Sequence, residues 1–302
     1  MFCYRAYGLG IHCDLDLPGF PTTECPADVV IRRERIEVES LPEDPYPVVE
    51  ATARQAIISA RDVGKLVIRD GCEVTLALRA DVDLDYVRNI VHGPILEAIL
   101  HQRGFVVLHA SSVAKNGAGI VFMAESGSGK STLAAAMNAR GWGVLADDVT
   151  AIEIRPEGAP LLYPGLPHVN LWPESVESLG LTPDSLVPVH PKGRKAIWRT
   201  LAGHMADPAG LRCVCVLTTE EPAGISLLPP QAAFASVLRN VPLTISRLIS
   251  GTGREALSFP QYARLAGTVP IHLVRQPHTA ESLASIGQLA QRIEELALGH
   301  DA

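Results

Sequence analysis

Eight consecutive residues, Ala124-Glu125-Ser126-Gly127-Ser128-Gly129-Lys130-Ser131, constrain this chain more than any other stretch. They lie between an apolar run, Ile120 to Met123, and a helix-patterned segment from Lys130 to Arg140 that Gly141 closes. A loop this short between a strand and a helix must turn sharply, and Gly127 and Gly129 supply the permissive backbone. Such a loop aims backbone N–H groups and the positive end of a helix at an anion. In that arrangement Lys130 would hold the β- and γ-phosphates of a nucleotide, and Ser131 would offer its hydroxyl to Mg²⁺. Ser126, Gly127, Ser128, Gly129 and Thr132 complete the candidate nucleotide-binding set, with ATP and Mg²⁺ as the implied cofactors. Ala124 stands where loops of this kind usually begin with glycine.

The surroundings agree with an α/β nucleotide-binding pattern. After the helix, Gly143-Val144-Leu145-Ala146 reads as a short buried strand ending at Asp147-Asp148. Strand, glycine loop, helix and strand in this order predict a parallel sheet, with both aspartates at a strand's carboxyl end, where such sheets bind ligands. One aspartate there can hold Mg²⁺ and a second can take or orient an acceptor's proton. A turn that simply favours aspartate is the alternative. If the strand continued through both residues, their side chains would point to opposite sides.

Upstream, residues 1 to 84 read as β-rich. Asp28 to Ile31, Lys65 to Ile68 and Glu73 to Leu78 have strand character, and Asp70-Gly71 marks a hairpin turn between the last two. Pro42, Pro45 and Pro47 mark a loop. From Asp85 to Arg103 the period becomes helical, with Val87, Ile90, Val91, Ile95 and Ile99 on one face, and Pro94 is expected to kink the helix or start a second one. The division expected is 1–84 as an N-terminal β-rich region and 85–302 as the phosphate-binding domain. The proline- and glycine-rich stretch from about 155 to 208 is expected to wrap over the core and to contain a substrate-covering loop. Further strands are expected at Cys213 to Leu217 and Pro270 to Val274, and helices at Gln231 to Arg239 and Ala280 to Leu298.

Other candidates are less specific. His109 ends the run Val106-Val107-Leu108, His168 lies in Pro167-His168-Val169-Asn170-Leu171-Trp172, and His190-Pro191-Lys192-Gly193-Arg194-Lys195 is a compact basic run able to close over phosphates or sit in solvent. Arg239, Arg247 and Arg275 remain undifferentiated. The six cysteines form no CxxC pair. Cys213 and Cys215 share one strand face, as buried thiols or, alternatively, as metal ligands. A net charge of −7 argues against a broad nucleic-acid surface. Neither a secretory signal nor an 18-residue apolar span is visible, so a cytoplasmic chain without a membrane segment is expected.

The run Leu108-His109-Ala110-Ser111-Ser112-Val113, the glycine loop, and Arg140-Gly141 through Ala146-Asp147-Asp148 together resemble the HPr serine kinase/phosphorylase family. Histidine, loop lysine and aspartate pair stand in the family's order and separations, over residues 105–150. The bifunctional family has glutamate where this chain has Thr132, and its later Arg-Gly-Leu-Gly signature is missing. Tyr163-Pro164-Gly165-Leu166-Pro167 and Leu171-Trp172-Pro173 look like a divergent HPr-kinase-related branch, which includes serine kinases acting on ribosomal peptide precursors, lasso-peptide precursors among them. The resemblance implies an α/β P-loop core of the HPr-kinase/PEP-carboxykinase type. It also implies Asp147 as general base, Asp148 and Ser131 as Mg²⁺ ligands, and Lys130 and His109 as active-site groups near the phosphates.

The function expected from this is ATP-dependent transfer of the γ-phosphoryl group to a serine hydroxyl of a peptide or protein, such as a lasso-type precursor. A small-molecule kinase acting on a free amino acid and a nucleotide-binding regulatory or assembly ATPase are the alternatives. The expected partner is a substrate bearing the acceptor serine, with no nucleic acid and no membrane; a homo-oligomer is compatible with the sequence.

Overall fold

The chain's 25 glycines and 23 prolines divide it into short strands, which form two large sheets and a small one. The computed structural model describes the chain apart from residues 36–47, 53, 126, 167, 182–185, 189–195, 200–206, 253–254, 277–284 and 300–302. Pro42, Pro45, Pro47, Ser126 and the basic run from His190 to Lys195 therefore lie outside the described residues. By packing, the chain forms one unit of Met1–Val107 with Val241–Gln261 and another of Leu108–Asn240 with Tyr262–Ala302. The sequence expectation drew its line after residue 84. No helix among the described residues is long and apolar enough to cross a membrane.

In the first unit, β1 (Phe2–Ala6), β2 (Leu9–Cys13), β3 (Val29–Arg35), β4 (Val48–Ala51), β5 (Gln55–Ala60), β6 (Gly64–Arg69) and β7 (Glu73–Leu78) form one sheet in the order β1-β2-β3-β7-β6-β5-β4. The hairpin expected at Asp70-Gly71 is present. Both residues are left-handed, with φ of 52° and 62°, which matches the twist of the paired β6 and β7. At Pro94, where a kink or a second helix is expected, the helical segment changes its winding. Helix α1 (Leu84–Ile90) continues through a π-helical turn, Val91–Ile95, into α2 (Leu96–Gln102). The wider turn accommodates the proline ring and its missing N–H without ending the helix. Val87, Val91, Ile95 and Ile99 are fully buried, while Ile90, beside the wide turn, is half-buried.

The boundary between units falls inside β8 (Val106–Leu108). The second unit is built on β9 (Ala110–Lys115), β10 (Ala118–Met123), helix α3 (Lys130–Ala139), β11 (Gly143–Ala146), β12 (Thr150–Glu153), β13 (Leu161–Tyr163), β14 (His168–Leu171), helix α4 (Pro173–Ser178), β15 (Leu186–Pro188), β16 (Ala196–Arg199), β17 (Ala209–Thr218), β18 (Gly224–Leu227) and β19 (Ile271–Arg275). Its sheet runs β11-β9-β10-β17-β13-β12, and β19 pairs with β17 and β18. The sheet is mixed, which corrects the expectation of a parallel one. β10 is parallel to β17 but antiparallel to β9, and β9 is antiparallel to β11. β9 thus stands between the strand before the glycine loop and the strand that ends at the aspartates. The β9–β10 turn, Asn116-Gly117, has φ of 53° and 78°, another tight left-handed pair. The proline-rich stretch supplies a small sheet, β14-β16-β15, whose Val169 and Leu171 enter the core.

That core gathers Val113, Phe122, Leu133, Met137 and Trp142, with Ile293 of the C-terminal helix Ile286–Leu298. Cys213 and Cys215 are buried within it as free thiols. At the rim, Glu294 accepts from Lys115 Nζ at 2.8 Å, from Arg140 at 2.6 Å and from the Trp142 indole at 3.1 Å. These bonds tie the C-terminal helix to the ends of β9 and α3. They hold the Glu294 carboxyl down at about 2, the Lys115 hydrogen bond being the largest cause. A depressed carboxylate contributes stability that is complete above its unfolded value, near 4.5, and is lost as the pH falls through the folded one. Glu294→Gln is expected to cost about 2 kcal/mol near neutral pH, after allowance for the partly exposed cations. Urea melts should show the gap between variant and parent narrowing from about pH 5 towards pH 2. A gap independent of pH would remove the ionic account of this cluster.

Candidate functional site

β10 is buried along its whole length, so the chain leaves the sheet abruptly at Ala124. The turn is closed by Ser128 N–H donating to the Glu125 carbonyl at 3.2 Å. Gly127 and Gly129 have φ of 86° and 92°. Nothing lies within 4 Å of a Cβ placed on either, so backbone conformation, and not space, demands glycine there. Ala124 is absent from the left-handed positions, so the loop has no need of glycine at its first residue. Gly129 precedes α3 and no side chain caps the helix, leaving its leading N–H groups to face the loop.

Lys130 is only 6% exposed, and its ammonium turns back to donate to the Ala124 carbonyl at 2.7 Å, across the mouth of the loop. One residue on, the Ser131 hydroxyl reaches Asp147, at 3.0 Å from Oδ1 and 3.1 Å from Oδ2. Thr132 turns the other way. It is buried, and its hydroxyl meets that of Ser175 on α4 at 2.7 Å. A contribution from Thr132 to a phosphate would therefore come from its backbone N–H.

Asp147 follows β11 directly and is buried, with three donors on its carboxylate. Besides Ser131, these are Ser111 Oγ at 2.5 Å and the Asn170 backbone N–H at 2.8 Å. Burial first, and the neighbouring Asp148 charge second, push its carboxyl up to about 7 against the pull of these hydrogen bonds. Asp148 does not continue the strand. It adopts φ of 68°, so the expected strand alternation stops at Ala146. Its carboxylate accepts from the Asn170 side-chain amide at 2.7 Å, while its backbone carbonyl lies 3.1 Å from His109 Nδ1. A carbonyl can only accept, so Nδ1 carries a proton and donates it there. His109 is further fixed by its N–H on the Asn240 carbonyl at 2.7 Å.

Lys130, Ser131, Asp147, Asp148 and His109 are thus linked around one loop. His168 is a buried residue of β14, and Arg275 on β19 is occupied with the Pro222 carbonyl at 3.1 Å. Arg239 lies in the last turn of the helix Pro230–Arg239, and Arg247 on the helix Leu243–Thr252 of the first unit. Three participants went unrecognised in the sequence: Ser111, Ser175 and Asn170. Ser111 had a visible signal, since Ser111-Ser112 interrupts an otherwise apolar run and both serines are fully buried. Among the described residues, no group of three or more His, Cys, Asp or Glu side chains is arranged to hold a metal ion by itself.

The described residues define a mixed α/β chain with an N-terminal sheet, a second sheet, and a glycine loop that opens a helix beside paired aspartates. No family model matches the chain, and no curated protein matches it in sequence. Among solved structures, the chain is similar to the Hpr(Ser) kinase/phosphatase from Coxiella burnetii, with 14% sequence identity and a TM-score of 0.33, covering 65% of this chain and 94% of that one.

Proposed function

We propose that this chain is an ATP-dependent phosphotransferase whose acceptor is a serine hydroxyl of a peptide or protein. The observation that carries the reading is the contact between Ser131 and Asp147. It joins the first turn of the helix after the glycine loop to the carboxylate after β11, although 16 residues separate them. Hydroxyl and carboxylate at the foot of a phosphate loop are hard oxygen donors of the kind Mg²⁺ takes when phosphates complete its shell. Ser131 and Asp147 are the residues that would hold the ion, and its charge would offset that of the phosphates.

Lys130, released from the Ala124 carbonyl, would sit on the β- and γ-phosphates, and the N–H groups of Gly129 to Thr132 would line the phosphate cradle. In transfer, the serine oxygen bonds to the γ-phosphorus as the bond from that phosphorus to the bridging oxygen breaks. ADP leaves, and the serine proton passes to a carboxylate. With Asp147 engaged at Ser131, Asp148 takes the acceptor side. This reverses the roles that the family resemblance implied. His109, braced against the Asp148 carbonyl, presents Nε2 as a further group near the phosphates.

A paired carboxylate favours transfer over a regulatory ATPase, because one carboxylate suffices for a switch. Incubation of the full chain with γ-labelled ATP, Mg²⁺ and serine-bearing peptides tests the proposal. Label located on a peptide serine by mass spectrometry is the expected result. Label released solely as inorganic phosphate, across a broad peptide panel, would favour the regulatory-ATPase reading.

A further inference from the structure

Two adjacent carboxylates are acceptors without donors of their own, and they repel each other. Something must aim them. Asn170 supplies a donor to each: its backbone N–H goes to Asp147 Oδ2 at 2.8 Å and its side-chain amide to Asp148 Oδ2 at 2.7 Å. β14 explains why this residue is available. Val169 and Leu171 on either side are buried in the core, so strand alternation turns Asn170 to the opposite face. Pairing with β16, Asn170 opposite Ile197, fixes the strand.

We propose that Asn170 is a positioning residue that aims the Asp148 carboxylate at the acceptor hydroxyl. The inference rests on the phosphotransfer reading above. Asp148 leaves the strand direction at φ 68°, a left-handed turn that aspartate tolerates, and the Asn170 amide is the described donor that fixes where its carboxylate then points. The two bonds from Asn170 are also separable. Asp147 is held by the backbone of residue 170, which every substitution except proline retains, and Asp148 by the side chain alone. Exchanging the side chain therefore loosens the acceptor side and leaves the Ser131 side in place.

The test is Asn170→Ala in the full chain, with Mg²⁺·ATP as the nucleotide and both water and serine-bearing peptides as acceptors. Turnover is expected to fall roughly 10- to 100-fold, the scale on which small misplacements of reacting groups act. Affinity for Mg²⁺·ATP should stay within about twofold of the parent, since the Asp147 contacts persist. Asn170→Asp should be slower than Asn170→Ala, because a third carboxylate then faces Asp148. In an Asp148→Asn background, Asn170→Ala should cost little more, since both changes disable one group. Parent-like turnover in Asn170→Ala, full additivity with Asp148→Asn, or an equal loss of nucleotide affinity overturns the inference alone. A parent chain that fails to bind Mg²⁺·ATP, or leaves it intact with every acceptor, overturns the phosphotransfer reading and this inference with it.

Discussion

Lys130→Ala is expected to lose phosphoryl transfer by about 10²- to 10³-fold, the scale seen when a donor to developing charge is removed. The fold should survive. The Lys130 ammonium makes its described hydrogen bond to a carbonyl of the loop itself, and the apolar contacts of α3 come from Leu133, Ala134 and Met137. Circular dichroism and the melting temperature should therefore stay close to those of the parent while turnover collapses. Parent-like turnover in a folded Lys130→Ala chain would remove the glycine loop from the chemistry.

The second large effect separates the two aspartates. Asp148→Asn should reduce transfer by roughly 10²- to 10⁴-fold, the usual contribution of a positioned base, with little change in nucleotide binding. Asp147→Asn should also be slow, for a different reason: its carboxylate is the one that meets Ser131. Removing it should additionally stabilise the folded chain in buffer without divalent cations. The Asp147 carboxyl is raised from 3.8 to about 7 by burial and by Asp148, so its ionised form opposes folding as the pH climbs between those values. Asparagine removes that charge, and the melting temperature of Asp147→Asn near pH 8 should exceed the parent's.

Much of this was legible in the sequence. The strand, loop, helix and strand around Lys130 follow from local signals: apolar runs of strand length, glycines at two left-handed positions, and Gly141 closing the helix at φ of 83°. Turn chemistry likewise located the hairpin at Asp70-Gly71. What stayed hidden depends on pairing between distant segments. Nothing local announces that β9 intervenes between β10 and β11, because an antiparallel buried strand and a parallel one have the same apolar composition here. The same limit applied to the aspartates. Strand alternation placed them on opposite sides but could not register that the chain turns left-handed at Asp148. Their partners arrive from far along the chain, Ser111 from 36 residues before Asp147 and Asn170 from 23 after it. Thr132 read as a phosphate ligand by its place in the loop, and only the arrival of Ser175 on α4 shows where its hydroxyl goes.

The division of labour between Asp147 and Asp148 is tested most directly by the Mg²⁺ requirement of each asparagine variant, measured as initial transfer rate at saturating ATP. With Asp147 on the Ser131 side, Asp147→Asn should need at least about tenfold more Mg²⁺ for half-maximal rate, because even a hydrogen-bond partner of a metal ligand is worth roughly 10- to 100-fold in metal affinity. Asp148→Asn should keep the parent's Mg²⁺ midpoint and lose only its maximal rate. A raised midpoint in Asp148→Asn together with an unchanged one in Asp147→Asn would contradict the assignment and restore the opposite roles.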